Sequence, residues 1–403
     1  MAIIHDSASA MCRPVVPRCP GVTSLRRPSR ATARSSFPTD FLPPMTDTLS
    51  GSPATPPTIA WPDAERERAF GRWFDELAPR HRLDRASLHL ASADASARRY
   101  FRVAGADGAD GASFIVMDSP AAEDSVGAFV RIGGLIRGAG LNAPCVLEQD
   151  TQLGFLLLDD LGDTQYLAAL RGADVAGADA LMRDAIEALI QWQLHGDCAT
   201  LPPYDDALLR RELQLFPDWC VAREFGVVWT PKEQATWATV SQRLVDSALA
   251  QPQVAVHRDW MPRNLMVCER NPGVLDFQDA VRGPITYDVA SLLRDAFISW
   301  DEEHELDWAV RYWQVARHAG LPVDPDFGEF WRQTEWMGLQ RHLKILGIFC
   351  RLKHRDGKPH YSEDLPRFFN YATKVANRYG PLRSLLNLLE PLTGVAVQAG
   401  YTF

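Results

Sequence analysis

No lysine occurs before Lys232 in this chain of 403 residues. Any structure built by the preceding residues must therefore meet an anionic ligand with arginine or with backbone amides. A cysteine framework is lacking too: Cys12, Cys19, Cys145, Cys198, Cys220, Cys268 and Cys350 are scattered, odd in number and without a C-x-x-C pair. That argues against a disulfide scaffold or a zinc site and for a reducing cytoplasm. No apolar run approaches the roughly 18 residues needed to span a bilayer, so no membrane partner is expected. There is no internal repeat. Lysine-rich stretches are missing, and the charge is acidic: −9 overall and −12 over 61–403, where 36 basic residues face 48 acidic ones. An acidic body of this kind argues against nucleic acid as a partner, and nothing in the composition implies a protein partner.

Residues 1–60 are rich in Pro, Ser, Thr, Ala and Arg without sustained periodicity and read as a disordered N-terminal extension. Their arginine-rich start resembles an organelle transit peptide, but Met45-Thr46-Asp47 offers a second beginning. An over-extended start, with Met45 as initiator, is the preferred reading. Order is expected from Trp61-Pro62-Asp63, where Asp63 can cap a helix and Phe70, Trp73, Phe74 and Leu77 recur at i, i+3, i+4 and i+7. Strands follow near Leu88, Tyr100, Phe114, Cys145 to Glu148 and Phe155 to Leu158, with a helix over 125–137. From Asp179 the pattern turns helical, with segments over 208–225, 233–250, 289–300, 305–319, 327–348 and 365–379. The tryptophans and phenylalanines of these helices are read as core.

What carries chemistry is the stretch from His257 to Asp288. HRDWMPRNLMV is followed after a short gap by LDFQDAVRGPITYD. Short apolar runs at 253–256, 265–267 and 273–275 read as strands, placing Asp259 and Asn264 on a loop between two strands and Asp276 at the end of a third. This is the arrangement of H-R-D-x-x-x-x-N and D-F-x in phosphoryl-transfer enzymes, with Gln278 where glycine is usual. Asp259 would orient a hydroxyl nucleophile, while Asn264 and Asp276 offer an amide and a carboxylate oxygen to magnesium on the phosphates of ATP. His257 is read as a brace for the loop. Only a short segment separates Asp276 from Asp288, which leaves no room for a regulated activation segment or a peptide platform.

The chain resembles the aminoglycoside phosphotransferase-like superfamily of small-molecule kinases over roughly 61–390. Four segments, DASARRYFRV from Asp94, FIVMDSP from Phe114, LDFQDAVRGPITYDVASLLRDAFI from Leu275 and QRHLKILGIFCRLKHRDGKPHY from Gln340, are similar to the anomeric N-acetylmuramate/N-acetylglucosamine kinases of bacterial cell-wall recycling. The resemblance implies an α+β, protein-kinase-like, two-lobed fold, with a β-rich nucleotide-binding N-lobe over 61–160 and a larger, mostly helical catalytic C-lobe over 161–403. It also implies ATP and Mg2+ as cofactors and a small amino sugar as acceptor.

Within that frame, the small residues from Ala91 to Ala97 suit a phosphate-covering loop, with Ser96 adding a hydroxyl. The third strand carries Met117 where the superfamily usually has a lysine, so Arg98, Arg99 or Arg102 must supply the charge. Arg99 is favoured because it follows the loop most closely. Leu158, Asp159, Asp160 and Leu161 form a hinge whose main chain would meet adenine. A lactyl carboxylate on the acceptor would need a cation, for which Arg263 and Arg294 are candidates; Gln278 and Asp279 could bond sugar hydroxyls. Competing readings are an aminoglycoside, homoserine or choline-type kinase, or a non-catalytic nucleotide-binding module.

Overall fold

The computed structural model describes residues 59–92, 98–106, 112–119 and 123–394. Contacts divide the chain into Met1–Trp61 and Pro62–Phe403, and only the second unit is considered below. The disorder expected of the N-terminal extension, and the loop with Ser96, fall outside the described residues.

Helix α1 (Ala64–His81) begins where Asp63 accepts the Arg66 N–H at 2.7 Å, and its expected stripe, Phe70, Trp73, Phe74 and Leu77, is buried. The stripe lies on a five-stranded antiparallel sheet of β1 (His89–Ser92), β2 (Arg99–Ala104), β3 (Ser113–Asp118), β4 (Val146–Asp150) and β5 (Phe155–Asp159), in the order β1-β2-β3-β5-β4. Because side chains alternate along a strand, the two faces can be named. Arg99 and Phe101 of β2 are in register with Asp118 and Val116 of β3, and Phe70 packs on Phe101 and Phe155 at ring distances of 5.8 and 5.6 Å. Tyr100, Arg102, Ile115, Met117, Leu156 and Leu158 take the other face. There Met117 is buried with Phe129 of α2 (Glu123–Gly138).

The rest of the chain is mostly helical: α3 (Tyr166–Gly172), α4 (Val175–His195), α5 (Asp206–Leu213) and α6 (Pro231–Leu249) precede four short strands, β6 (Gln253–Val256), β7 (Leu265–Met266), β8 (Gly273–Val274) and β9 (Val281–Pro284). These pair antiparallel as β6 with β9 and β7 with β8. Then come α7 (Tyr287–Leu293), α8 (Glu302–His318), α9 (Phe327–Asp356), α10 (Leu365–Arg378) and α11 (Leu386–Thr393).

Three helices differ from expectation. The segment read as one helix over 208–225 is α5 followed by a wider π-type turn at Phe216–Glu224. Pro217 there has no N–H to continue an α-helical ladder. The backbone of Leu215 also presses on α9, where a Cβ on Gly347 would lie 2.3 Å from its carbonyl carbon. The helix expected over 289–300 stops at Leu293, because Arg294 leaves helical geometry with its guanidinium held by Glu305 and Glu335. Helix α9 runs past the expected end at 348 and stops at Gly357, whose φ of 66° suits a residue without a Cβ.

Phe277 ties the two parts together. It is fully buried, its ring lies 4.8 Å from that of Phe129 in α2, and a Cβ on Gly133 of the same helix would fall 3.1 Å from it. Phe277→Ala should therefore lower the unfolding free energy by about 3–5 kcal/mol, and Phe277→Leu by less than about 1.5 kcal/mol. Urea titration measures both, and equal losses for the two variants would contradict this packing account.

Candidate active site

The loop after β6 is fixed by one carboxylate. Asp288, in the first turn of α7, has no exposed surface and accepts the backbone N–H groups of His257 and Arg258 at 2.6 and 3.0 Å. Arg258 has a φ of 77°, a left-handed conformation costly for a side chain with a Cβ. Burial raises the Asp288 carboxyl to about 7, against the two hydrogen bonds that lower it. His257 is buried edge-on to Trp260, and its Nδ1 accepts the Asp259 N–H at 3.3 Å. Burial holds its pKa down to about 4, so the ring is neutral.

Asp259 then projects into a cavity of about 840 Å3 shared with Asn264 and Asp276. The Asn264 Nδ2 donates to the Asp259 carbonyl at 3.0 Å, and the Asn264 carbonyl accepts the Leu275 N–H at 2.9 Å, which joins the loop to the strand end before Asp276. Asp276 also has a left-handed φ, 60°. Burial and then the charge of Asp259 raise its pKa, opposed by a 2.9 Å bond from Gln278 Nε2 and by the charge of Arg98. A buried carboxylate beside a second carboxylate makes a setting that a cation relieves. Among the described residues there is no group of three or more His, Cys, Asp or Glu fit to hold a metal. A carboxylate and an amide oxygen nevertheless fit magnesium, which keeps water and phosphate oxygens as its other ligands.

The remaining expected residues are placed as follows. Arg99 is on the α1 face, where Asp118 holds it at 3.0 Å through Nε and where Arg66 shares the same carboxylate; it does not line the cavity. Strand alternation puts Arg98 and Arg102 on the cavity side instead. Arg102 is tied to Asp160 at 2.6 Å and to the Gly162 carbonyl at 2.7 Å, and the charge of Arg98 acts on Asp276. Leu158, Asp159, Asp160 and Leu161 all line the cavity. The Asp160 carboxylate also accepts from Ser113 and Gly162, and these partners outweigh burial and lower its pKa. Burial raises that of Asp159, whose Oδ1 accepts the Cys145 N–H at 2.6 Å.

Arg263 lines the cavity with its guanidinium 4.7 Å over the Phe297 ring, and Asp279 lines it as well. Gln278 serves Asp276 and is not part of the lining. Arg294, expected near the acceptor, is instead a buried structural arginine bonded to Glu305 at 3.0 Å and Glu335 at 2.8 Å, and it is not among the cavity-lining residues.

Several groups went unread in the sequence. Glu212 of α5 binds Arg258 at 2.5 Å and Lys344 at 3.0 Å and accepts the Tyr204 hydroxyl. Burial alone would raise its pKa, but Lys344 and Arg258 hold it down to about 2. Helix α9 presents Arg341, Lys344, Ile345 and Ile348 to the cavity, an i, i+3, i+4, i+7 face that the sequence shows but that core packing could equally explain. Arg341 Nη2 lies 3.7 Å from Asp259 Oδ1.

Glu212→Gln should lower kcat by about 10²-fold through misplacement of the loop, with the KM for ATP within about threefold of wild type; steady-state kinetics with ATP varied would show a large KM change if the group acted on nucleotide instead. Because the Asp288 carboxyl sits near 7, it takes a proton below that pH and offers the two N–H groups a weaker acceptor. Its contribution to stability has the opposite sense, being greatest below the unfolded value near 4 and lost as pH rises through about 7. Log kcat should fall with unit slope below about pH 7, while Asp288→Asn should give a lower, flat profile. A wild-type profile that is level from about pH 5.5 to 8 would refute this.

Residues 87–327 match the model of a family described as phosphotransferase enzyme family. A protein of Pseudomonas putida named N-acetylmuramate/N-acetylglucosamine kinase is 51% identical over 306 residues, 76% of this chain and 88% of that protein. One of the same name from Neisseria meningitidis is 46% identical over 84% of this chain and 100% of its own length. The GDP complex of aminoglycoside 2'-phosphotransferase-IIIa superposes with a TM-score of 0.53 at 15% identity, covering 77% of this chain and 99% of that one. Its likeness extends to the fold, a protein-kinase-like α+β architecture with a small sheet-based lobe and a mostly helical larger one. The chain belongs to the phosphotransferase enzyme family.

Proposed function

We propose that the protein transfers the γ-phosphoryl group of ATP to the anomeric hydroxyl of N-acetylmuramate and N-acetylglucosamine, in cytoplasmic recycling of bacterial cell-wall sugars. The observation that carries this reading is identity of 46–51% to kinases of that name over 88–100% of their lengths. The cavity supports it by gathering Asp259, Asn264 and Asp276.

Asp259 would accept the hydrogen bond of the acceptor hydroxyl and aim its oxygen at phosphorus. Asn264 and Asp276 would hold magnesium, which when bound supplies neutralisation of the phosphate charge. Gln278 keeps one Asp276 oxygen turned, and Arg98 would meet the phosphates from the N-lobe with the fork that lysine lacks. The stretch Leu158 to Leu161 would line the adenine site. In-line transfer through a loose transition state asks mainly for such positioning, with less demand on the basicity of Asp259. Aminoglycoside, homoserine and choline-type acceptors are left without support of their own, because likeness to the aminoglycoside enzyme at 15% identity reaches only the fold. A non-catalytic role is disfavoured by the cavity trio.

Phosphorus NMR of the protein with ATP, magnesium and each sugar should show a sugar 1-phosphate coupled to the anomeric proton. Asp259→Asn should slow its appearance by about 10²–10⁴-fold while ATP still binds. Nucleotide binding without any sugar phosphate would remove the proposal.

A further inference from the structure

Arg341 has only 3% of its side chain exposed, and its Nε and Nη1 have no hydrogen-bond partner. A buried guanidinium with two idle donors is costly unless something else completes its surroundings. Its third nitrogen, Nη2, is 3.7 Å from Asp259 Oδ1, too long for a hydrogen bond. The other faces of the group meet the Tyr287 ring at 5.8 Å and the fields of Asp288 and Asp295. Lys344, one turn further along α9, is already engaged by Glu212 at 3.0 Å and the Tyr287 hydroxyl at 3.2 Å. Of these two α9 cations, Arg341 is therefore the one whose hydrogen bonds are unmade.

Position decides what it meets. Arg98 and the Asn264–Asp276 pair mark where the phosphates must lie, so the α9 side of Asp259 belongs to the acceptor. The two acceptors named for the relatives differ by one group: N-acetylmuramate carries a lactyl ether with a carboxylate that N-acetylglucosamine lacks. An acceptor of charge −1 entering beside Asp259, Asp276 and Asp279 would be repelled without a cation close by.

We infer that Arg341 is the specificity-determining residue of the acceptor site, receiving the lactyl carboxylate of N-acetylmuramate and staying loosely paired with Asp259 when the neutral sugar binds. This rests on the amino-sugar kinase reading. The long, loose Arg341 contact explains tolerance of both acceptors: a tight pair with Asp259 would exclude the carboxylate, and a cation with no pair at all would penalise the neutral sugar.

The test compares kcat/KM for N-acetylmuramate, its uncharged lactyl amide and N-acetylglucosamine with the full-length protein. Wild type should prefer the acid to the amide by roughly 10- to 100-fold, the worth of a hydrogen bond to a charged group. Arg341→Gln should lose that preference, chiefly through KM for the acid, with a smaller loss on N-acetylglucosamine, and Arg341→Lys should keep part of it. An acid-to-amide ratio near one in wild type overturns the inference whether or not any variant folds. So does an equal loss on all three sugars in Arg341→Gln, which would place the group on the phosphoryl side, or loss of the preference in Arg263→Gln while Arg341→Gln retains it. Turnover of N-acetylglucosamine by wild type checks the underlying function separately. With no sugar turned over, that reading fails first and this one with it.

Discussion

The site depends on the double acceptance of the His257 and Arg258 N–H groups by the Asp288 carboxylate. An unpaired buried N–H costs on the order of a kilocalorie or more, and here two consecutive ones point at a single buried side chain from another element. That arrangement lets Arg258 keep its left-handed φ, which in turn throws Asp259 into the cavity and sends the Arg258 side chain back towards Glu212. Asn264 closes the loop on itself through the Asp259 carbonyl. The main chain of Asp259, the residue proposed to meet the acceptor hydroxyl, is thus held at its N–H by His257 and at its carbonyl by Asn264.

Electrostatics is arranged in two tiers around this knot. Away from the cavity Arg294 is paired with Glu305 and Glu335, and at its wall Arg258 and Lys344 are paired with Glu212. At the cavity the matching is incomplete, since Asp276 is raised by burial and by Asp259 and Arg341 hovers beyond hydrogen-bond length. Charge left unbalanced at a cavity is what a site for charged ligands requires, because the ligands finish the balance.

Much of this was legible from spacing alone. The α1 stripe, the strands of the sheet and the trio of 259, 264 and 276 follow from periodicity and from short apolar runs bounding polar loops. The errors have physical causes. Nearness to the loop favours Arg99, yet it shares parity with Phe101, and a strand residue of that parity must face α1. Arg294 read as a cation near the site because one-dimensional distance from Asp288 is short, whereas the chain leaves the helix there to bury it. Arg341 stayed hidden because a charged residue on an otherwise apolar helix face looks like any exposed position; only burial and idle donors, which are three-dimensional facts, separate it. The reading of one helix over 208–225 passes through Pro217, and the close approach of Leu215 to Gly347 has no signal in the sequence.

The contact between Glu212 and Arg258 bears on control. In protein kinases the arginine next to the catalytic aspartate is commonly pulled into place by a phosphate added to the activation segment. Here a carboxylate built into α5 and ionised down to about pH 2 occupies the equivalent electrostatic position. A charge encoded in the sequence cannot be removed by a phosphatase, so the contact that holds Arg258 needs no added phosphate. The position that a reversible phosphate would take at this arginine is filled by a permanent side chain.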